Sequence, residues 1–213
     1  MRGKGLLLTL LIPAALGLSA CAGGYVAASD SVLSNVDRSG DWRDFRYCGG
    51  WGCSDPREGR FTSEEWTQVV AVMSPPAANA SEERDQLAHA IGVMETIIGG
   101  KTGYDRDRPG TGSGLFQPGQ LDCFSEATNT SSFLRLIHSA GLMHFHTPAD
   151  PIMRGQAAER SWRQTHATGA LTEDASGVLY AMDSWFFPGG HDAVWVDAET
   201  WGGAWAPEGG AGI

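Results

Sequence analysis

Lysine is nearly absent from this chain of 213 residues: Lys4 and Lys101 are the only two. Lysine-dependent phosphate or Schiff-base chemistry in a folded domain would rest on Lys101 alone. Basic charge is scarce in general, with 15 Lys and Arg against 25 Asp and Glu, a formal net of −10. That argues against a nucleic-acid partner, whose backbone needs concentrated Lys and Arg. No apolar run reaches the roughly 20 residues of a permanent membrane span. The Gly-rich stretch 101–120 lacks both the spacing and the trailing Lys-Ser/Thr of a phosphate loop, so nucleotide binding is rejected and no cofactor is expected. Cysteine is limited to Cys21, Cys48, Cys53 and Cys123.

What is present begins with an export signal over residues 1–20. Arg2 and Lys4 give a positive start, residues 5–18 are apolar apart from Pro13, and Ser19 and Ala20 are small. The junction Leu18-Ser19-Ala20-Cys21 resembles the lipobox of bacterial lipoproteins. That resemblance implies a diacylated Cys21 as mature N-terminus and a lipid anchor in the membrane. Ala22 after the cysteine implies outer-membrane sorting, with the chain facing the periplasm. Removing residues 1–20 takes away two basic residues and no acidic one, leaving 13 against 25, a net of −12. Such a compartment permits disulfides. Cys48 and Cys53 flank Gly49-Gly50-Trp51-Gly52, whose glycines allow a small closed loop, and they are expected to pair. Zinc is the rival, but two ligands do not make a site. Cys123 is left free.

Residues 21–60, rich in Gly, Ser, Asp and Arg without a sustained apolar period, read as a tether and loosely structured arm. Residues 61–213 read as a single α+β domain. Thr62 and Glu65 form a capping box before the stripe Trp66, Val69, Val70 and Met73, which Pro75-Pro76 ends. A second helix starts near Ser81 with Leu87, Ile91, Met94 and Ile98 as its buried stripe, and Gly99-Gly100 closes it. A third spans about 122–139, with Phe124, Ala127, Leu134 and Ile137 inward and Gly141 as its stop. Four strands follow, over 142–146, 162–171, 178–187 and 193–196. Helices first and an antiparallel sheet afterwards define the α+β class.

Cys123 falls in the first turn of the third helix, where free N–H groups and the helix dipole favour a thiolate. The bland alternative is a buried core cysteine. If Leu171 pairs with Val178, His166 falls directly opposite Asp183 on the same face, while a one-residue slip would separate them. Thiol catalysis needs an imidazole to take the proton and a carboxylate to orient it.

A cysteine at a helix start, then a strand His, then an Asp on the next strand resembles the transglutaminase-like branch of the papain-like thiol enzymes. The resemblance covers about residues 62–203. The segments Asp122-Cys123-Phe124-Ser125-Glu126-Ala127-Thr128-Asn129-Thr130, His166-Ala167 and Asp183-Ser184-Trp185-Phe186 also resemble a bacterial lipoprotein family of uncharacterised chemistry. The resemblance implies catalysis by Cys123, His166 and Asp183. A Gln six residues before the nucleophile would add an oxyanion donor, which here is Gln117, with Gln120 as the nearer rival. It implies an amidase, peptidase or transamidase, with peptides or peptidoglycan as substrate at the cell envelope. Two other readings use the same residues. His144, His146 and His166 could form a three-histidine metal site. Alternatively, a catalytically silent lipoprotein could bind a partner or cell-wall material. The aromatic set Trp185, Phe186, Phe187, Trp195, Trp201 and Trp205 suits either a substrate groove or a core with its C-terminal cover.

Overall fold

The computed structural model describes residues 24–110, 116–155, 165–203 and 205–211. The expected export signal, Cys21 and residues 162–164 of the second expected strand lie outside them. In chain order the elements are β1 (Val26–Ala27), α1 (Asp30–Leu33), β2 (Phe45–Gly49), a 3₁₀ turn (Trp51–Cys53) and β3 (Asp55–Gly59). Then come α2 (Ser63–Val72), α3 (Ala80–Thr102), α4 (Cys123–Ser139), β4 (His146–Pro148) and β5 (Ile152–Arg154). The chain continues with β6 (His166–Glu173), β7 (Leu179–Asp183), β8 (Val194–Asp197) and α5 (Ala198–Gly202). The class is α+β with antiparallel sheets.

The helices start where local chemistry dictates. Thr62 Oγ1 accepts from the Glu65 N–H at 3.2 Å and the Glu65 carboxylate accepts from the Thr62 N–H at 2.7 Å, closing the capping box of α2. Asn79 caps α3 through the Glu82 N–H at 3.0 Å. Gly99-Gly100 does not end α3, which runs on to Thr102. Gly103, in the left-handed conformation at φ 85°, is the stop. Asp122 caps α4 through the Ser125 N–H at 2.9 Å.

The main sheet has the order β1-β5-β6-β7-β8, with β4 pairing the far end of β6. β6 is therefore central, and α4 crosses it closely. A Cβ at Gly169 would lie 2.7 Å from Thr130 Cγ2, so the absence of a side chain there sets how near helix and strand can come. The largest core cluster joins α2, α3 and α4 through Trp66, Leu87, Ile91, Met94, Phe133 and Ile137. Each such side chain contributes about 1.5–3 kcal/mol through burial.

Three further expectations need correction. Residues 45–59 are not a loose arm: β2 and β3 form a hairpin whose Phe45 and Tyr47 enter the core, and β1 completes the sheet edge against β5. Residues 142–145 are not a strand, because the His144 and Phe145 N–H groups donate to the Glu83 carboxylate at 2.6 and 2.9 Å instead of to a neighbouring strand. The β6–β7 register places Leu171 opposite Tyr180, not Val178. That is a shift of two, which keeps every side chain on its expected face.

Candidate active site

The polar sequence of α4 is buried because both sides of the helix are covered. Asn129 clamps β2 like a missing strand partner: its Oδ1 accepts from the Cys48 N–H at 2.7 Å and its Nδ2 donates to the Cys48 carbonyl at 2.9 Å. Ser125 Oγ accepts from the Cys53 N–H at 2.9 Å and donates to the Gly50 carbonyl at 2.7 Å. The second oxygen of Asp122 accepts from the Gly52 N–H at 2.9 Å. Cys48 and Cys53 form a disulfide, so the stapled loop sits on the N-terminus of α4, and Cys123 is free.

Cys123 Sγ lies 4.0 Å from the Thr165 carbonyl and receives the Ala167 N–H. It occupies the edge of β6 where β7 has ended, against the backbone on both sides of His166. The thiol is buried in an apolar cluster with Trp185 and Phe186. Burial pushes its pKa up to about 12, with the Asp122 and Asp183 charges adding to the rise. The expected thiolate is therefore not the resting form. Desolvation and two neighbouring carboxylates outweigh the helix N-terminus.

His166 Nε2 lies 2.7 Å from Asp183 Oδ2. The same carboxylate receives the Trp201 indole N–H at 2.9 Å on Oδ2 and the Trp185 N–H at 3.2 Å on Oδ1. A carboxylate so surrounded by donors is an acceptor, which puts the His166 proton on Nε2 and the lone pair on Nδ1. Nδ1 is buried with no hydrogen-bond partner among the described residues. The imidazole packs against Trp185, Phe186 and Trp201 at ring-centroid distances of 4.6, 5.4 and 5.5 Å. Trp185 and Phe186 are thus walls shared by Cys123 and His166. No hydrogen bond joins the thiol to the imidazole among the described residues.

Gln120 is tied to the loop that precedes α4. Gln120 Nε2 donates to the Arg106 and Gly119 carbonyls at 2.7 and 3.1 Å, and its Oε1 accepts from the Arg108 N–H. Its amide is spent on holding the loop. Gln117 lines an exposed groove of about 230 Å³ with Trp51, Tyr104 and Phe116. The three histidines also separate. His146 Nδ1 meets Glu83 at 2.9 Å and its Nε2 faces Arg84 Nη1 at 3.0 Å. Among the described residues no group of three His, Cys, Asp or Glu is arranged to hold a metal. Of the aromatic set, Trp185, Phe186 and Trp201 are buried around His166, while Trp195 covers Arg84.

Two features depart from what the sequence suggests, in which Glu95 beside the α3 stripe reads by default as a surface carboxylate. Arg154, opposite His166 on β5, lies over the Trp201 ring at 4.4 Å. Its one signal was a charge closing the apolar pair Ile152-Met153. Beneath the start of α4, Asp107 and Glu126 share a hydrogen bond, and Glu95 lies nearby, holding the Gly190 N–H at 3.1 Å. Burial raises all three carboxyls: Asp107 to about 6, Glu95 to about 7 and Glu126 well above its usual range. Glu126 stands three positions after Cys123, so its place on the same helix side was readable; the loop residue Asp107 left no such signal.

No protein-family model, curated protein or solved structure matches the chain.

Proposed function

We propose that this chain is a thiol-dependent acyl-transfer enzyme of the bacterial cell envelope, an amidase, peptidase or transamidase, with a papain-like and transglutaminase-like arrangement of Cys123, His166 and Asp183. It is anchored through a lipidated Cys21 and acts on peptides, peptidoglycan peptides included. The single observation that carries the reading is the division of labour on one imidazole. Nε2 is committed to Asp183, Nδ1 is buried without a partner, and the thiol sits against the backbone on either side of His166.

The thiol proton passes to His166 Nδ1 as Sγ bonds to the acyl carbon, and the imidazolium is stabilised by Asp183. The carbon–nitrogen bond then breaks, the amine leaves with the proton from Nδ1, and a thioester remains. Water or an amine gives its proton to Nδ1, attacks the thioester and restores the thiol. With the resting thiol neutral, proton transfer accompanies attack instead of preceding it. The Cys123 N–H at the start of α4 is the natural oxyanion donor; Gln117 is the remaining side-chain candidate.

A second reading, a non-catalytic envelope lipoprotein that binds a protein or cell-wall ligand, draws on the missing hydrogen bond between Cys123 and His166. An acyl-type cysteine probe separates the two. Under the enzymatic reading Cys123 is acylated, Cys123→Ala abolishes labelling, and His166→Ala slows it by about 10²–10⁴. Labelling that is unchanged in His166→Ala leaves the binding reading.

A further inference from the structure

Among the described residues, the other two arginines with largely buried side chains each hold a carboxylate: Arg84 has Glu173 at 2.7 Å and Arg135 has Asp150 at 2.8 Å. Arg154 is more deeply placed, 3% exposed, and has no carboxylate within ion-pair distance among the described residues. Its Nη1 donates to the Trp201 carbonyl, its plane covers the Trp201 ring, and its Nη2 is buried with no partner among the described residues. Guanidinium stays protonated at any ordinary pH, so burial cannot be relieved by losing the charge. Asp183 acts on it through space, but both oxygens of that carboxylate are taken by His166, Trp201 and Trp185.

Arg154 and His166 are direct cross-strand partners, so their side chains leave the sheet on the same face. Each carries one buried polar atom without a partner among the described residues, Nη2 and Nδ1. Trp201 touches both, and the aromatic walls keep the local dielectric low. A ligand presenting an anionic oxygen to Nη2 would therefore lie beside the imidazole that serves Cys123.

We infer that Arg154 recognises a carboxylate on the substrate, so that the site selects amides bearing a free carboxylate close to the carbonyl under attack. This rests on the thiol-enzyme reading of Cys123, His166 and Asp183. The substrate class is then an acidic or carboxyl-terminal peptide amide, held by a charge-assisted hydrogen bond.

Iodoacetate and iodoacetamide test it on the full-length protein. Both transfer a methylene carbon to Sγ with loss of iodide, and they differ only in carboxylate against amide. The readout is the ratio of the two labelling rates at the Cys123 peptide, divided by the same ratio in the denatured chain. That quotient should be about tenfold or more, against the repulsion of a net-acidic protein. It should fall to about one in Arg154→Gln and be partly kept in Arg154→Lys. A quotient near one in the wild type overturns the inference, as does a high quotient that survives in folded Arg154→Gln. Should Arg154→Gln fail to fold, wild-type protection decides. Glutarate should slow iodoacetamide labelling saturably and glutaramide should not, and equal effects overturn the assignment. A parallel His166→Ala arm separates the two claims. If iodoacetamide labelling slows there while the wild-type quotient stays near one, Arg154 alone is refuted. Labelling indifferent to His166 refutes the thiol-enzyme reading instead.

Discussion

His166 reaches Asp183 along a diagonal of the β6–β7 ladder, with Nε2 2.7 Å from Oδ2. The register sets Gly169 opposite Met182 and so carries Thr168, not His166, opposite Asp183. The diagonal works because β7 ends at Asp183, which leaves the carboxylate free to take the Trp201 indole and the Trp185 N–H as well. Asp183→Asn should keep the fold's volume while setting an amide N–H against one of these donors. The expected loss in probe acylation of Cys123 is about 10²–10⁴-fold. Trp201→Phe, which removes one donor, should cost much less. Rates for the two variants, measured on protein with native circular dichroism, check the order.

The stapled loop over α4 makes a second prediction. Cys48→Ser or Cys53→Ser removes a small cross-link worth about 2 kcal/mol by loop entropy. It also frees the Gly52 and Cys53 N–H groups from Asp122 and Ser125. Thermal unfolding should drop by several degrees, and Cys123 in the folded variant should alkylate faster as the N-terminus of α4 loosens. A slower Cys123 in either variant contradicts the placement.

Gly169→Ala should destabilise by about 1–3 kcal/mol, since the new methyl meets Thr130 Cγ2 at 2.7 Å. Thr130→Ser removes that methyl and should restore most of the loss in the double variant. Denaturant titration of the four proteins measures the coupling directly.

Carboxyl burial predicts an unusual pH profile. Glu95 and Asp107 carry folded pKa values of about 7 and 6, above their unfolded values. The folded state therefore binds more protons. This contribution to stability is full below about pH 4 and disappears as pH rises through 6 and 7. For Glu95 the shift corresponds to about 3 kcal/mol. Glu95→Gln and Glu126→Gln should each raise the melting temperature at pH 8 and change it little at pH 5. Melting curves at the two pH values are sufficient.

The parts of the fold that sequence makes legible are the ones written in neighbouring residues. Thr62, Glu65 and Asp122 cap within three positions of themselves, and both helices begin as their caps require. The same locality holds for Cys48 and Cys53, five residues apart. The β2–β3 hairpin was not legible. Its outer strand, Asp-Pro-Arg-Glu-Gly, has no apolar period, and its inner strand is held by Asn129, 81 positions from Cys48. Cys123, His166 and Asp183 were legible as residue types in order, and the two-residue register shift spared them because it preserves the face. Arg154 was not, since β5 has three residues and only its pairing with β6 brings it beside His166.

The edge strand β1 limits how far the folded domain could travel from a lipid anchor at Cys21. Val26 is already paired with Met153 in the sheet, so a lipid on Cys21 would leave five residues of leash, at most about 18 Å fully extended. A 40-residue arm would let the folded domain sweep a wide volume. With the proposed lipid on Cys21, this attachment would instead hold the sheet edge within one small-protein radius of the bilayer. Under the proposed enzymatic reading, substrate would have to arrive at the membrane surface, and encounter would become a two-dimensional search along it.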